Sequence, residues 1–173
     1  ISFLLITTLL LSGCVSSTKV SAPGIVASCD QIKLLERANK SVLMGCLDGS
    51  SEINFHQLKG PLLINVWGSW CGPCQDEIPY IREFYDKYND QVQVVGLDVE
   101  EPNKEAARPF IEAHGVIWPS LFDPDGRTRK LIGMGVPVTW FIDQSGAIVY
   151  KKIGAFKDAK EIESLARKHL NLQ

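Results

Sequence analysis

This 173-residue sequence has no run of the roughly 20 apolar residues that a transmembrane helix needs, which excludes a polytopic membrane protein. It also lacks a charge of one sign. Lys plus Arg number 18 against 20 Asp plus Glu, a formal net charge of −2 that gives no electrostatic reason to expect nucleic acid or an acidic partner surface. Histidine is scarce at 3, and His56, His114 and His169 form no pair at metal-ligand spacing, so no metal site is expected. No internal repeat is present, and no low-complexity segment beyond one Ser/Ala/Thr-rich stretch near the start. What is present is ordinary for a globular chain: 45% hydrophobic and 22% charged residues, enough for one domain with a full core. Cysteine is sparse enough to take residue by residue: Cys14, Cys29, Cys46, Cys71 and Cys74.

Residues Ile1 to Leu11 are uncharged and apolar, too short to span a membrane and suited to the core of a secretory signal. No Met or basic segment precedes them, so leading residues are expected to be missing. Leu11-Ser12-Gly13-Cys14 resembles the lipobox of bacterial lipoproteins, which implies cleavage before Cys14 and its acylation; an ordinary secretory signal with an incidental Cys is the alternative. The division expected is a signal over 1–13, a flexible tether over 14–28 and a domain over 29–173. Fully stretched, Val15 to Ser28 would reach at most roughly 45 Å, keeping the domain close to the membrane.

In the body of the chain, Pro61 to Trp67 is an apolar run of central-strand length. Pro73 to Tyr88 carries Cys74, Ile78, Ile81, Phe84, Tyr85 and Tyr88 at helical spacing, with Pro79 expected to kink it. Val92 to Leu97 predicts the next buried strand, and Asn103 to His114 a helix stopped by Gly115. Trp118 to Phe122 reads as extended, Asp125-Gly126-Arg127 as a turn and Thr128 to Ile132 as a short helical piece. Val138 to Asp143 and Ala147 to Ile153 form a hairpin, and Asp158 caps a last helix bearing Ile162, Leu165, Ala166 and Leu170. Ser41 to Phe55, around Asp48-Gly49, predicts an added N-terminal hairpin. The fold class is α/β, a three-layer α/β/α sandwich on a mixed central sheet.

Trp70-Cys71-Gly72-Pro73-Cys74 falls at the strand-to-helix turn of a βαβ unit, the setting in which C-x-x-C is a redox motif. Cys71 stands where the helix begins, so free amides and the helix dipole stabilise its thiolate. Cys74, three residues on, lies on the same side of the first turn but faces inward. Cys71 is therefore expected to be the exposed nucleophile and Cys74 the sheltered thiol that resolves a mixed disulfide. Half a zinc site is the competing reading, and two further ligands are missing.

These residues, with Pro79 and the later Gly135-Val136-Pro137-Val138-Thr139, make Ser41 to Leu172 similar to the thioredoxin fold, and within it to the membrane-tethered TlpA/ResA/CcmG branch of cytochrome c maturation. The resemblance implies a cis Pro137 facing the cysteines and a Val136 backbone that pairs with extended substrate. It makes Trp70, Gly72 and Pro73 part of the docking surface, with packing as the alternative role for Trp70. Cytoplasmic thioredoxins carry a buried Asp where this chain has Asn65, and the branch keeps an acid where this chain has Glu77, which implies a proton acceptor for Cys74. The bland alternative makes Asp76 and Glu77 ordinary acids of a first helical turn. Trp67, Trp118 and Trp140 are expected in the core, and His114 and His169 at helix ends. Cys29 and Cys46, in an exported chain, are expected to form a structural disulfide, a second redox pair being the alternative.

The function expected is that of an extracytoplasmic, lipid-anchored thiol-disulfide oxidoreductase on the cell membrane, without cofactor and acting as a monomer. It would reduce disulfides of exported proteins such as apocytochrome c, supplied with electrons by a membrane protein of the CcdA or DsbD type. An oxidant of exported proteins and a non-catalytic binding module are the rival readings.

Overall fold

The structure is a computed structural model, and it describes residues 22–133 and 135–173. The signal, the lipobox with Cys14 and most of the tether lie outside the described residues. Within the part that is described, Gly24 N donates to Glu112 O at 3.0 Å, Ile25 N donates to Val116 O at 2.9 Å, and Ala27 is buried. Residues 24–28, placed in the tether by sequence, thus pack onto the domain.

Seven strands make one mixed sheet: β1 (Leu43–Cys46), β2 (Glu52–Asn54), β3 (Leu62–Trp67), β4 (Gln93–Val99), β5 (Ser120–Asp123), β6 (Val138–Ile142) and β7 (Ile148–Ile153). Their order is β2-β1-β5-β4-β3-β6-β7. β3, β4 and β5 run parallel, and the hairpins β1–β2 and β6–β7 extend the two sides antiparallel. β3 lies inside the sheet between β4 and β6 and every residue of it is buried, the polar Asn65 included, as a largely apolar run of this length predicts.

Among the described residues four α-helices accompany the sheet: α1 (Gly72–Tyr88), α2 (Lys104–His114), α3 (Arg129–Ile132) and α4 (Ala159–Leu170). Caps explain their ends. Asn103 and Asp158 accept amides from Ala106 and Glu161, and Gly115 stops α2 in the left-handed region at φ 76°. α1 continues through Pro79 as one element, and α2 likewise holds Pro109 in its interior. Successive right-handed β-α-β crossovers place α1 and α2 on the same face. α4 joins them there, and Trp67, Ile78, Phe84, Phe110, Phe141 and Ile162 share that core. The other face is thinner than a three-layer sandwich suggests. Cys29, Ile32, Phe55 and Leu58 from the N-terminal segment cover it, with Leu131 of α3 packed alongside. Trp67, Trp118 and Trp140 are fully buried. Among the described residues no helix is long and apolar enough to cross a membrane.

The hairpin β1–β2 is more than an appendage. β1 pairs with β5, Gly45 opposite Phe122 and Cys46 opposite Leu121, and Cys46 is bonded to Cys29. Both sulfurs are buried, so the bridge ties the start of the domain to the outer strands.

Candidate functional site

Parallel strands deliver their chemistry at their carboxyl ends, and β3 ends one short loop before α1. Gly68 allows the turn there, because a Cβ would sit 2.6 Å from the Trp70 indole nitrogen. Cys71 N donates to Gly68 O at 3.0 Å, and the Cys71 side chain then caps α1, its sulfur accepting from Cys74 N at 3.2 Å. Pro73 occupies the first turn, where its missing N–H costs nothing. Cys71 and Cys74 are joined as a disulfide with Cα atoms 5.3 Å apart.

Their exposure corrects one expectation. In the disulfide-bonded state Cys71 is only 4% exposed and Cys74 is 0% exposed, both within the apolar cluster beneath α1. Cys71 remains the outer of the two. Trp70 stands 54% exposed beside it. Val136 and Pro137 belong to the loop before β6, and the Val136–Pro137 and Gly60–Pro61 bonds are cis. A groove lined by Trp70, Val99, Glu100, Arg129 and Val136 runs between these features, and Arg129 and Glu100 are paired across it. Sequence reasoning did not find that groove, because the ion pair joins α3 to the loop after β4.

Below the disulfide lies a buried acid. Glu77 is 0% exposed and sits three residues after Cys74 on one side of α1. Its Oε1 accepts from Asn65 Nδ2 at 2.7 Å and its Oε2 from Phe156 N at 3.1 Å; the Asn65 amide also donates to Thr139 Oγ1 at 3.2 Å. Burial pushes the Glu77 carboxyl up to about 7, against the pull of those two hydrogen bonds and the Lys152 ammonium. Asn65 thus supplies an amide from β3 where a thioredoxin has its acid, and α1 supplies the acid. The first-turn reading fails by position, since the first turn of α1 contains no acidic residue and Asp76 and Glu77 follow it.

A second buried acid escaped the sequence reading, which ended the strand at Leu97. Asp98, the next residue, is 0% exposed, and neither carboxyl oxygen has a hydrogen-bond partner. Burial, and then the neighbouring Glu101 charge, push it up to about 8. Glu101 is 5% exposed and accepts from Ser69 N at 2.6 Å, in the loop that leads to Cys71.

His114 and His169 close their helices as expected, packed on Phe110 and Tyr150. Cys29, Cys46 and Asp48 bring three donor atoms within 4.8 Å of one another, but the two sulfurs are bonded to each other and neither is a thiolate. What the site can do is thiol-disulfide exchange: a helix-start cysteine to attack, a buried partner to resolve, and a titratable carboxyl near neutrality to move a proton.

Comparisons with known proteins agree with that chemistry. A family model described as Redoxin matches residues 32–167. The thiol-disulfide oxidoreductase ResA of Bacillus thuringiensis is 32% identical over 155 residues, covering 88% of this chain and 87% of that protein. Among solved structures, StoA of Bacillus subtilis is similar at 26% identity and a TM-score of 0.60, covering 72% of this chain and 95% of that one. A secreted thiol-disulfide isomerase of Corynebacterium glutamicum shares the fold at a TM-score of 0.63 and 20% identity, covering 80% of this chain and 92% of that one.

Proposed function

The chain belongs to the redoxin family, as a ResA-like thiol-disulfide oxidoreductase, and from that premise we propose that it is an extracytoplasmic reductant of disulfides in exported proteins. Apocytochrome c is the substrate we favour, and a CcdA- or DsbD-like membrane protein the electron donor. Anchoring through a lipid on Cys14 belongs to the same proposal, as do the docking roles of Trp70, Gly72, Pro73, Val136 and Pro137 and a purely structural role for Cys29–Cys46.

In the proposed cycle the Cys71 thiolate attacks one sulfur of a substrate disulfide, and the displaced substrate thiolate takes up a proton. Cys74 then loses its proton to Glu77 and attacks Cys71, which releases the second substrate thiolate; that thiolate takes up a proton, and Glu77 returns its own to solvent. The substrate gains two electrons and two protons, and Cys71–Cys74 is left oxidised for the donor to reduce. The observation that supports this reading best is a fully buried Glu77 on the same helix as Cys74, held at about 7 by burial. Gly72-Pro73 brings no cation to stabilise the Cys71 thiolate further, which favours the reducing direction.

The test is incubation of the reduced protein with a disulfide-closed apocytochrome c peptide, the peptide thiols being counted by alkylation and mass. The reading expects stoichiometric opening of the peptide and closure of Cys71–Cys74. An unchanged peptide disulfide would refute the reading, and reduced peptide thiols closed by the oxidised protein would reverse its direction.

A further inference from the structure

Beyond Glu77 the fold buries two carboxyls, Asp98 and Glu101, that the cycle above does not use. Asp98 lies one residue before the carboxyl end of β4, opposite Trp67 of β3 on one side and Phe122 of β5 on the other. It faces the α1 side of the sheet, as Val94 and Trp67 do. An unpartnered, fully buried carboxylate is costly, and such a group is retained at a cost to stability. Three residues later Glu101 is also buried, and it is not idle: its Oε1 holds the Ser69 amide, two residues before Cys71.

We propose that Asp98 and Glu101 are positioning residues, Glu101 fixing the Gly68–Cys71 turn through the Ser69 amide and the unpartnered Asp98 being kept neutral by its burial beside that turn. The pair makes and breaks no covalent bond; Asp98 exchanges a proton with solvent. When Asp98 ionises, two like charges meet under the turn, Glu101 is pushed from the Ser69 amide, and Cys71 loses its fixed place. The pair therefore sets an alkaline limit to disulfide exchange at Cys71.

The charged groups around Asp98 leave Glu101 as its partner. β3 and β5 offer Trp67 and Phe122, which carry no charge. Asp123, one residue beyond Phe122, is occupied with the Arg127 and Thr128 amides. Glu100 is paired with Arg129. From α2, the Lys104 ammonium lies over Gly45, two strands away, 3.3 Å from where a Cβ would stand. From α1, Cys71 and Cys74 are uncharged while bonded.

The proposal rests on disulfide chemistry at Cys71 and on no particular substrate, so its test uses none. Carbon-13 NMR of the oxidised, Asp- and Glu-labelled full chain should show the Asp98 carboxyl titrating above pH 7, with the Ser69 amide following the same midpoint. In Glu101→Gln the Asp98 midpoint should fall by about one unit, a tenfold change in proton affinity. Reduction of Cys71–Cys74 by dithiothreitol then reads the effect on the turn. The ratio of the Asp98→Asn rate to the wild-type rate cancels the ionisation of dithiothreitol itself. That ratio should stay level below pH 7 and rise about threefold by pH 9, the effect of about half a pKa unit. An Asp98 midpoint below pH 6, a Ser69 amide blind to it, or a ratio level across the whole range would overturn the proposal. The wild-type titration decides even where a variant fails to fold. Failure to reduce a cytochrome peptide would leave these readings untouched.

Discussion

Replacing Glu77 by Gln removes a proton site without changing the shape of the side chain, and its consequence for stability can be worked from the structure. In the unfolded chain this carboxyl ionises near 4.5; folded, burial holds it at about 7. Between those two values the native protein keeps a proton that the unfolded chain has lost, so stability is greatest below pH 4.5 and declines as pH rises to about 7. At ~1.4 kcal/mol per unit, a rise from 4.5 to about 7 comes to roughly 3 kcal/mol lost across that window. Gln does not titrate and shows no such decline. Its amide meets the Phe156 N–H as donor against donor, which costs about 1–3 kcal/mol at every pH and leaves the slope alone. Asp98 contributes a decline of the same sign in both proteins and cancels in the difference. Urea unfolding of the oxidised proteins at steps from pH 4.5 to 8 should therefore show the two stabilities converging or crossing by roughly 3 kcal/mol as pH rises. Parallel curves would mean that Glu77 does not hold a proton near neutrality, and its role in resolving the mixed disulfide would go with it.

Three further outcomes are expected. Insulin reduction by Glu77→Gln should slow on the order of 100-fold near pH 7 and lose the inflection there, whereas a retained inflection would assign the proton step elsewhere. After reduction, iodoacetamide should modify Cys71, the helix cap, well before Cys74; mass mapping that finds Cys74 alkylated first would reverse their roles. Mild reductant that opens Cys71–Cys74 should leave the buried Cys29–Cys46 bridge closed, and replacing both of its cysteines by Ala should lower stability by about 3 kcal/mol, as expected for a closed loop of this length. Loss of the two bridges at the same reductant concentration would argue for a second redox pair.

Much of the frame is a property of the sequence alone. The largely apolar run of β3, the caps Asn103 and Asp158, and Gly115 after α2 specify their elements locally, because each depends on near neighbours in the chain. The redox pair is legible for the same reason: three residues at a helix start bring two cysteines together wherever that helix lies. The setting of the acids is different in kind. That Glu77 is held by Asn65 and by the amide of Phe156, 79 residues away, follows from the packing of α1 between β3 and the segment before α4. That Asp98 is buried without a partner follows from a strand that continues past Leu97 through Asp98 to Val99. Burial sets the proton affinity of a carboxyl, and burial belongs to the whole fold: the sequence determined which residues could react, and only the tertiary structure decided which of their acids hold a proton at neutral pH.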